Sequence, residues 1–297
     1  MYKHFFIALR PKHWIKNLFI FLPLIFGKKL FVYPTVLRSI AAFCLFFLAA
    51  SGSYLINDII DSERDRLHPT KRSRPIASGK LNVRQGLIVA LLLQVFAILV
   101  SFIFSVPFGC IIAAYILFNF IYSKVLKDVV IVDVFCIAGF FILRIMAGSV
   151  AGNMAMSYWI IVMTVLLALF LGFNKRRQEL NLYGEAAFGY RAVLKKYSRN
   201  FIDRMIMIVT SLILLAYILY TIDGRTVREL GTCNLVFTIP FVYYGIFRYL
   251  YLIHKVQKDG DPVQMLLGDR MMRVDLALWI SACIWVIYFG SQKRWPN

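Results

Sequence analysis

The sequence contains little negative charge and none of the motifs of common soluble enzymes. Its 297 residues include 15 Asp and Glu against 34 Lys and Arg, a net charge of +19. No GxSxG, HExxH or GxxxxGK(S/T) pattern occurs, so a serine-hydrolase elbow, a zinc protease helix and a P-loop are not predicted. The five cysteines stand singly in apolar surroundings, which predicts neither a zinc site nor a disulfide framework.

The positive charge must be interpreted together with the hydrophobicity of the chain. Hydrophobic residues make up 60% of it, above the roughly 45–50% of soluble domains. Several apolar runs reach the length of about 18 residues expected of a membrane helix. The charge therefore indicates the excess of Lys and Arg in the cytoplasmic loops of membrane proteins. The predicted partner is the lipid bilayer, and no nucleic acid partner is predicted.

We predict an all-α, polytopic membrane protein with about nine transmembrane helices, forming a single integral-membrane domain over residues 1–297. Residues 1–16 mix aromatic and basic side chains and predict an interfacial amphipathic segment without a cleavable signal. The predicted spans cover residues 15–32, 36–57, 84–104, 107–123, 129–150, 157–174, 204–222, 234–252 and 274–290.

The distribution of basic residues predicts the orientation of these spans. If the N-terminus is cytoplasmic, 26 of the 34 Lys and Arg fall in cytoplasmic segments and 7 on the opposite side. This asymmetry is the one that positions helices in plasma membranes. We therefore predict a multi-pass protein of the inner or plasma membrane, with its N-terminus and its active site on the cytoplasmic side.

The stretch Asn57–Gly79, NDIIDSERDRLHPTKRSRPIASG, begins with acidic residues at the end of the second predicted span. If that helix continues, Asp58, Asp61 and Asp65 share one helical face, which Asn57 joins. Neighbouring carboxylates repel unless a cation lies between them, and oxygen ligands with room for phosphate suit Mg²⁺. We predict these four residues as magnesium ligands and catalytic residues. The alternative is an exposed, ion-paired helix end.

Basic residues follow in a segment that Pro69, Pro75 and Gly79 predict to be a loop. Its Lys and Arg can hold a diphosphate and stabilise it as it leaves. Arg144, inside an apolar run, is a functional candidate or a structural partner for an acid on another helix. For the other cations the alternative is positive-inside charge. The predicted substrate-binding residues are Lys16, Arg66, Lys71, Arg74, Ser78, Tyr122, Lys124, Lys127, Arg144, Lys175, Arg176, Glu179, Tyr190 and Arg191.

These motifs carry a resemblance to a known family. NDxxDxxxD followed by KRSRPIASG, and YSKVLK after the fourth span, resemble the signatures of the UbiA superfamily of intramembrane prenyltransferases. The resemblance extends over nearly the whole chain. It implies a UbiA-type helical bundle with cytoplasmic cap loops, open on one side to lipid. It also implies that the aspartates bind Mg²⁺ and diphosphate.

One departure from the family pattern narrows the expected reaction. Aromatic prenyltransferases of the family have a second DxxxD motif after the sixth span, where this chain reads NKRRQEL. With RPKHWIKNLFIFLPLIF, LRIMAGSVAG and YGIFRYLYL, this segment is similar to the branch of decaprenyl-phosphate phosphoribosyltransferases. That resemblance implies transfer of 5-phosphoribosyl from 5-phosphoribosyl 1-diphosphate to a decaprenyl-type polyprenyl phosphate, with release of diphosphate. It also implies a role in cell-wall biosynthesis.

Two other functions are compatible with the sequence. The first is a UbiA-type prenyltransferase that moves a prenyl group from prenyl diphosphate to an aromatic or other small acceptor. The second is a membrane transporter or lipid flippase, although no inverted repeat is evident. The isoprenoid length, the number of metal ions and assembly into a homo-oligomer are left open.

Overall fold

The computed structural model describes residues 2–184, 189, 191–255, 265 and 268–290. Their regular secondary structure is helical, and these residues contain no β-strand, which confirms the predicted all-α fold. The α-helices are α1 (Tyr2–Ala8), α2 (Leu22–Phe26), α3 (Tyr33–Ile60), α4 (Ser62–Leu67), α5 (Val83–Phe104), α6 (Val106–Lys124), α7 (Val132–Ala151), α8 (Tyr158–Tyr183), α9 (Arg199–Ile222), α10 (Gly224–Leu230), α11 (Ile239–Lys255) and α12 (Arg270–Phe289). Short 3-10 helices lie at Pro11–Phe21, Lys71–Ser73, Leu126–Asp128, Ala192–Lys196 and Asn234–Thr238.

In this described part of the chain, eight helical segments are long and apolar enough to cross a membrane. They are α3, α5 to α9, α12 and the segment Asn234–Lys255, which contains α11. Each coincides with one of the predicted spans after the first, so the chain is a multi-pass membrane protein. Side chains that accept a hydrogen bond from a backbone N–H two or three residues later begin five of these helices. They are Asn82, Ser105, Ser157, Ser198 and Asp269.

The first predicted span, residues 15–32, is not one long α-helix. Pro11–Phe21 is a 3-10 helix, and α2 continues it only to Phe26. A 3-10 helix rises about 2.0 Å per residue and an α-helix about 1.5 Å, so Pro11–Phe26 extends about 30 Å. That length equals the roughly 30 Å thickness of the hydrocarbon core. The tighter helix therefore crosses the same distance with fewer residues.

The contacts at the two ends of this first segment support a complete crossing. Arg10, just before it, pairs with Asp58 at the end of α3. Lys28, just after it, donates a hydrogen bond to the carbonyl of Leu230, at the end of α10. These two contacts lie at opposite ends of the bundle. With the eight long helices, the segment accounts for the roughly nine spans predicted.

Charged residues concentrate at one end of the bundle, which we call the polar end. It comprises Asn57–Gly79, the connection between α6 and α7, the end of α8 and the segment 191–198. The side chain of Arg64 in α4 pairs with Asp128 at 3.0 Å, which joins the first two of these regions. At the other end, the backbone N–H of Leu30 donates to the Tyr288 hydroxyl at 3.0 Å.

Small residues allow the helices that support the polar end to approach closely. A Cβ atom at Gly52 in α3 would lie 2.9 Å from the Ala90 carbonyl oxygen of α5. A Cβ atom at Gly148 in α7 would lie only 2.0 Å from the Ile20 carbonyl oxygen of the 3-10 segment. Close approach at small residues is typical of membrane helices, because lipid provides no hydrophobic force between them. These contacts fix α3 and the first segment, which carry Asp58 and Arg10.

Candidate active site

The three aspartates of the predicted motif lie where α3 passes into α4. The Asp61 N–H donates to the Asn57 carbonyl at 2.9 Å, and the Asp65 N–H donates to the Asp61 carbonyl at 2.8 Å. The helical hydrogen-bond pattern therefore continues across the boundary, as the sequence predicts. Asp58 and Asp65 are buried, and Asp61 is half-buried.

Basic side chains from three other regions bind these carboxylates. One Arg74 nitrogen lies 3.0 Å from Asp58 Oδ1 and 2.6 Å from Asp65 Oδ2. Arg10 pairs with Asp58, and Lys127 pairs with Asp61. We call this set the aspartate cluster: Asp58, Asp61, Asp65, Arg10, Arg74 and Lys127. It balances three carboxylates with three cations drawn from the N-terminal segment, the loop after α4 and the connection between α6 and α7.

The aspartate cluster contains two carboxylates that could hold a divalent cation. Asp58 and Asp65 already converge on one cationic nitrogen, that of Arg74. Mg²⁺ needs only one or two protein carboxylates when waters and substrate phosphates complete its shell. Asp61 is turned to Lys127, and Asn57 Oδ1 accepts a hydrogen bond from Ser123 at 2.8 Å. No group of three or more acidic, His or Cys side chains within the described ranges is spaced to hold a metal by itself.

Because Asp65 is buried, its carboxylate needs a nearby positive charge. Burial raises the pKa of the Asp65 carboxyl, and the Arg74 guanidinium opposes that effect. A buried carboxylate without a nearby cation is costly, because desolvation disfavours its charged form. A cation beside Asp65, either Arg74 or a metal ion, therefore favours the charged form of that carboxyl.

A second charged group lies between the start of α7 and the end of α8. We call it the arginine cluster: Asp133, Arg176, Glu179, Arg191 and Tyr197. Arg176 donates to Asp133 at 2.7 Å and to Glu179 at 2.9 Å. Arg191 approaches the same two carboxylates at 3.6 and 3.8 Å. The Tyr197 hydroxyl donates to the other oxygen of Asp133 at 2.7 Å.

The loop after α4 connects the two clusters. Its start is fixed by the buried ring of His68, whose Nδ1 accepts the Thr70 N–H at 3.2 Å. Arg74 pairs with the aspartate cluster, whereas the charge of Lys71 acts on both clusters, on Asp65 and on Glu179. Burial lowers the pKa of Lys71 to about 7; Glu179 raises it, and Arg191 lowers it further. Lys175 also lies close enough for its charge to lower the Lys71 pKa.

Three of the predicted substrate-binding residues support this arrangement from its edge. Arg66 donates to the Ala77 carbonyl at 3.3 Å, and Ser78 donates to the Arg74 carbonyl at 2.8 Å, so both hold the loop. The Tyr122 hydroxyl accepts from Arg191 at 3.5 Å. A fourth, Lys124, is exposed, and its Nζ lies 4.5 Å from the centroid of the Phe120 ring.

Two other predicted residues, Lys16 and Arg144, contact the first segment. Lys16 contacts the His13 ring at 3.3 Å within the first segment. Tyr190 lies outside the described residues. Arg144 lies eleven residues beyond Asp133 in α7, about 16 Å further along the helix axis.

Arg144 is surrounded by neutral partners. Its guanidinium donates to the Asn17 side chain at 2.8 Å, to the Phe140 carbonyl at 2.8 Å and to the Tyr115 hydroxyl at 3.0 Å. No described acidic residue pairs with it. These bonds give Arg144 a structural contact with the first segment; a contact with substrate stays a prediction.

The site contains three residues that the sequence did not assign to it. Arg10 was assigned to the interfacial segment, yet it reaches Asp58 from 48 positions away. Its left-handed backbone, with φ of 54°, turns the chain before Pro11. Asp133 and Tyr197 are 64 positions apart and meet only in the folded chain. The available signal was Asp133 itself, an acid at the start of a membrane helix.

Comparison with known proteins relates this arrangement to a family. The model of the UbiA prenyltransferase family matches residues 19–273. The chain is 30% identical to the decaprenyl-phosphate phosphoribosyltransferase of Corynebacterium glutamicum, over 95% of this chain and 86% of that protein. It is also 30% identical to the protein of the same name from Mycolicibacterium smegmatis, over 95% of this chain and 92% of that protein.

Solved structures share the fold. A UbiA homolog from Archaeoglobus fulgidus bound to DMAPP and Mg²⁺ superimposes with a TM-score of 0.68, over 95% of this chain and 98% of that chain. The sequence identity is 16%, so this likeness concerns the fold alone.

Proposed function

The chain belongs to the UbiA prenyltransferase family and is a transferase enzyme, and from this premise we propose the reaction that it catalyses. In this proposal it transfers 5-phosphoribosyl from 5-phosphoribosyl 1-diphosphate to a polyprenyl phosphate and releases diphosphate. The reaction requires Mg²⁺ and takes place at the polar end. The reaction is the one for which the relatives are named. The charged residues at the polar end of this chain are the physical argument for proposing it here.

One observation carries the proposal: the charge around the arginine cluster. Four cations, Lys71, Lys175, Arg176 and Arg191, accompany only two carboxylates, Asp133 and Glu179. A site for prenyl diphosphate and a neutral acceptor has a single diphosphate to neutralise. Phosphoribosyl diphosphate carries a second phosphate, and the lipid acceptor carries a third. An excess of cations beside the aspartate cluster suits that load.

In this proposal the diphosphate of the donor binds at the aspartate cluster, and its 5-phosphate binds beside the arginine cluster. Asp58 and Asp65 would hold Mg²⁺, with Asp61 and Asn57 within the same turns of helix, as predicted. When bound, the metal ion supplies charge neutralisation for the departing diphosphate. Arg10, Arg74 and Lys127 lie around the same carboxylates and neutralise the remaining charge of the leaving group. Lys71 and Lys175 hold the 5-phosphate.

The reaction needs no general base from the protein. The lipid phosphate is already ionised at neutral pH, and its oxygen attacks the anomeric carbon as the bond to diphosphate breaks. The sugar gains positive charge in the transition state as the negative charge moves to the departing diphosphate, which the cations around the aspartate cluster stabilise. Arg176 is enclosed by Asp133 and Glu179, so we assign it a positioning role that orients Arg191 toward the donor.

Placement in the cell is also part of the proposal. The excess of basic residues at the polar end favours its location on the cytoplasmic side of the plasma or inner membrane. A soluble phosphorylated sugar would reach it there, while the lipid acceptor stays in the bilayer. The whole chain would act as one domain.

The test is a substrate screen on the purified protein in vesicles with Mg²⁺. We expect label from phosphoribosyl diphosphate to appear in the lipid fraction together with one equivalent of diphosphate. Consumption of prenyl diphosphate with an aromatic acceptor, without lipid-linked label, would establish the prenyltransferase instead. Lipid movement without diphosphate release would establish a transporter.

A further inference from the structure

A pocket lies at the end of the bundle opposite to the polar end. Its volume is about 320 Å³, within the range of about 300–1,000 Å³ that is typical of small-molecule sites. Three segments line it: the turn after α2, the connection between α7 and α8, and α10. Lys28 and Asn153, in the first two of these segments, have left-handed backbones with φ of 55° and 49°. Such conformations are uncommon for residues other than glycine, so the surrounding structure must hold both turns.

Basic residues line this pocket, although few basic residues lie at its end of the bundle. The side opposite to the predicted cytoplasmic side has 7 Lys and Arg, and three of them, Lys28, Lys29 and Arg225, line the pocket. Glu229, a carboxylate in the lining, pairs with Arg225 at 2.7 Å. No described carboxylate forms an ion pair with Lys28 or Lys29. The positive-inside bias does not account for these cations, because they lie at the other end.

A buried hydroxyl group in the same pocket lacks a hydrogen-bond partner. Tyr220 of α9 lines the pocket, is 8% exposed and packs against the rings of Phe26 and Trp159. Its hydroxyl forms no hydrogen bond with any residue that the structure describes. Buried tyrosine hydroxyls usually have a hydrogen-bond partner, so an unpaired one in a pocket indicates a polar ligand.

The rest of the lining and the nearby surface indicate the kind of ligand. Pro23, Met154 and Ile160 give the pocket an apolar side. At the same end, Phe31 and Tyr158 are 69% and 43% exposed. Exposed aromatic rings are typical of the level at which lipid headgroups lie. A pocket with cations and an apolar side at that level is complementary to a phosphate attached to an apolar chain.

We propose that this pocket binds the phosphate headgroup of an anionic phospholipid in the leaflet opposite to the polar end. Lys29 binds the phosphate, together with Lys28, whose ammonium donates to the Leu230 carbonyl and has two further N–H groups. The Tyr220 hydroxyl donates to the same headgroup. The bound lipid joins the turn after α2 to α10 and so stabilises the folded state. This binding is independent of the proposed reaction, which takes place at the other end of the bundle.

A photoreactive lipid and a matched pair of substitutions test the pocket. Phosphatidylglycerol with a diazirine near its glycerol backbone should label peptides from residues 153–160 or 225–230 of the full chain in phosphatidylcholine vesicles. Lys29→Gln should raise the half-saturating lipid fraction about tenfold or more, the loss expected for a charged hydrogen bond. Arg38→Gln removes an exposed cation of α3 that does not line the pocket, and should leave half-saturation unchanged. Labelling elsewhere, or equal effects of the two variants, would overturn the proposal.

A second variant and two competitors test the chemistry of the ligand. Tyr220→Phe keeps the ring and removes only the hydroxyl, so it should raise half-saturation about two- to tenfold, the value of a neutral hydrogen bond. An unchanged half-saturation in this variant would contradict the hydrogen bond to the headgroup. Unlabelled phosphatidylglycerol should compete for labelling, whereas inorganic phosphate should not, because it has no apolar part. Displacement of the lipid by inorganic phosphate would indicate a site for free phosphate and overturn the lipid assignment.

Discussion

The two charge clusters at the polar end use similar residues for different purposes. In the aspartate cluster the cations come from loops, and the side chains of Arg10 and Arg74 are 15% and 25% exposed. In the arginine cluster the side chains of Arg176 and Asp133 are 1% and 0% exposed. The carboxylates of the first cluster are also buried, with the side chains of Asp58 and Asp65 3% and 6% exposed. Breaking a buried pair leaves an uncompensated charge, so a metal ion could replace the more exposed Arg74 only by supplying the same positive charge. In the arginine cluster both Arg176 and Asp133 are enclosed, so their ion pair holds the end of α8 against the start of α7.

The largest expected effect is a loss of stability when the arginine cluster is broken. Arg176→Ala should reduce the free energy of unfolding by about 3–5 kcal/mol, because Asp133 and Glu179 lose the cation between them. The neighbouring Arg177 pairs with Asp203, whose side chain is 47% exposed. Arg177→Ala should cost less than about 1 kcal/mol. Denaturant unfolding in detergent measures both variants, and similar losses would contradict a special contribution of the buried ion pairs of the arginine cluster to stability.

The next effect is a loss of catalytic activity when the aspartate cluster is changed. Asp58→Asn keeps the shape of the side chain but removes its charge, and should lower kcat/KM by roughly 10²–10³. The folded yield should be close to that of the wild type. Asp128→Asn is the control, because Asp128 pairs at the surface with Arg64, whose side chain is 44% exposed. The measurement is diphosphate release over a range of Mg²⁺ concentrations. Equal activity of the two variants would contradict the metal assignment.

A smaller effect is expected on donor binding between the clusters. Lys71→Met should raise the donor KM about ten- to a hundredfold, the value of a charged hydrogen bond of roughly 1.5–3 kcal/mol. The acceptor KM should stay the same, because the proposal assigns Lys71 to the 5-phosphate of the donor. Arg72→Met alters an exposed cation at the next position of the same loop. If it raises the donor KM as much, loop charge in general, rather than Lys71, binds the donor.

The smallest effect is a pH dependence. Burial lowers the pKa of Lys71 to about 7, and an anionic donor binds its protonated form. As pH rises through about 7 the lysine loses its proton, so donor affinity falls toward that of Lys71→Met. Arginine stays charged, so Lys71→Arg should not show this decline. The measurement is the ratio of the donor KM values of the two proteins from pH 6 to 9, in which the titration of the donor cancels. A constant ratio would contradict the role of Lys71.

Features that depend on neighbouring residues could be predicted from the sequence. The long apolar runs predicted the eight spanning helices. The spacing of Asp58, Asp61 and Asp65 predicted the helical hydrogen bonds that continue through them. The first span differs because the choice between α and 3-10 geometry depends on packing. The Gly148 backbone of α7 approaches that of Ile20 too closely to admit a Cβ atom.

The partners of the charged residues could not be predicted. Arg10 and Asp58 belong to segments 48 positions apart, and no local pattern connects them. The segment NKRRQEL has polar residues on all sides of α8, so its sequence does not show which cation faces inward. The structure turns Arg176 into the bundle and Arg177 toward Asp203. The choice follows from the burial of Asp133, which requires a cation.

The 3-10 helix of the first segment acts as a strut of fixed length. Asn17, held by Arg144, and Arg10, paired with Asp58, are seven residues apart, about 14 Å at the rise of this helix. Asn17, Ile20 and Pro23 are all buried, because every third residue returns to the same side of the helix. Inserting one residue would lengthen the strut by about 2 Å and rotate its end by about 120°. Arg144, deep in the bundle, thereby sets the register in which Arg10 meets the aspartate cluster.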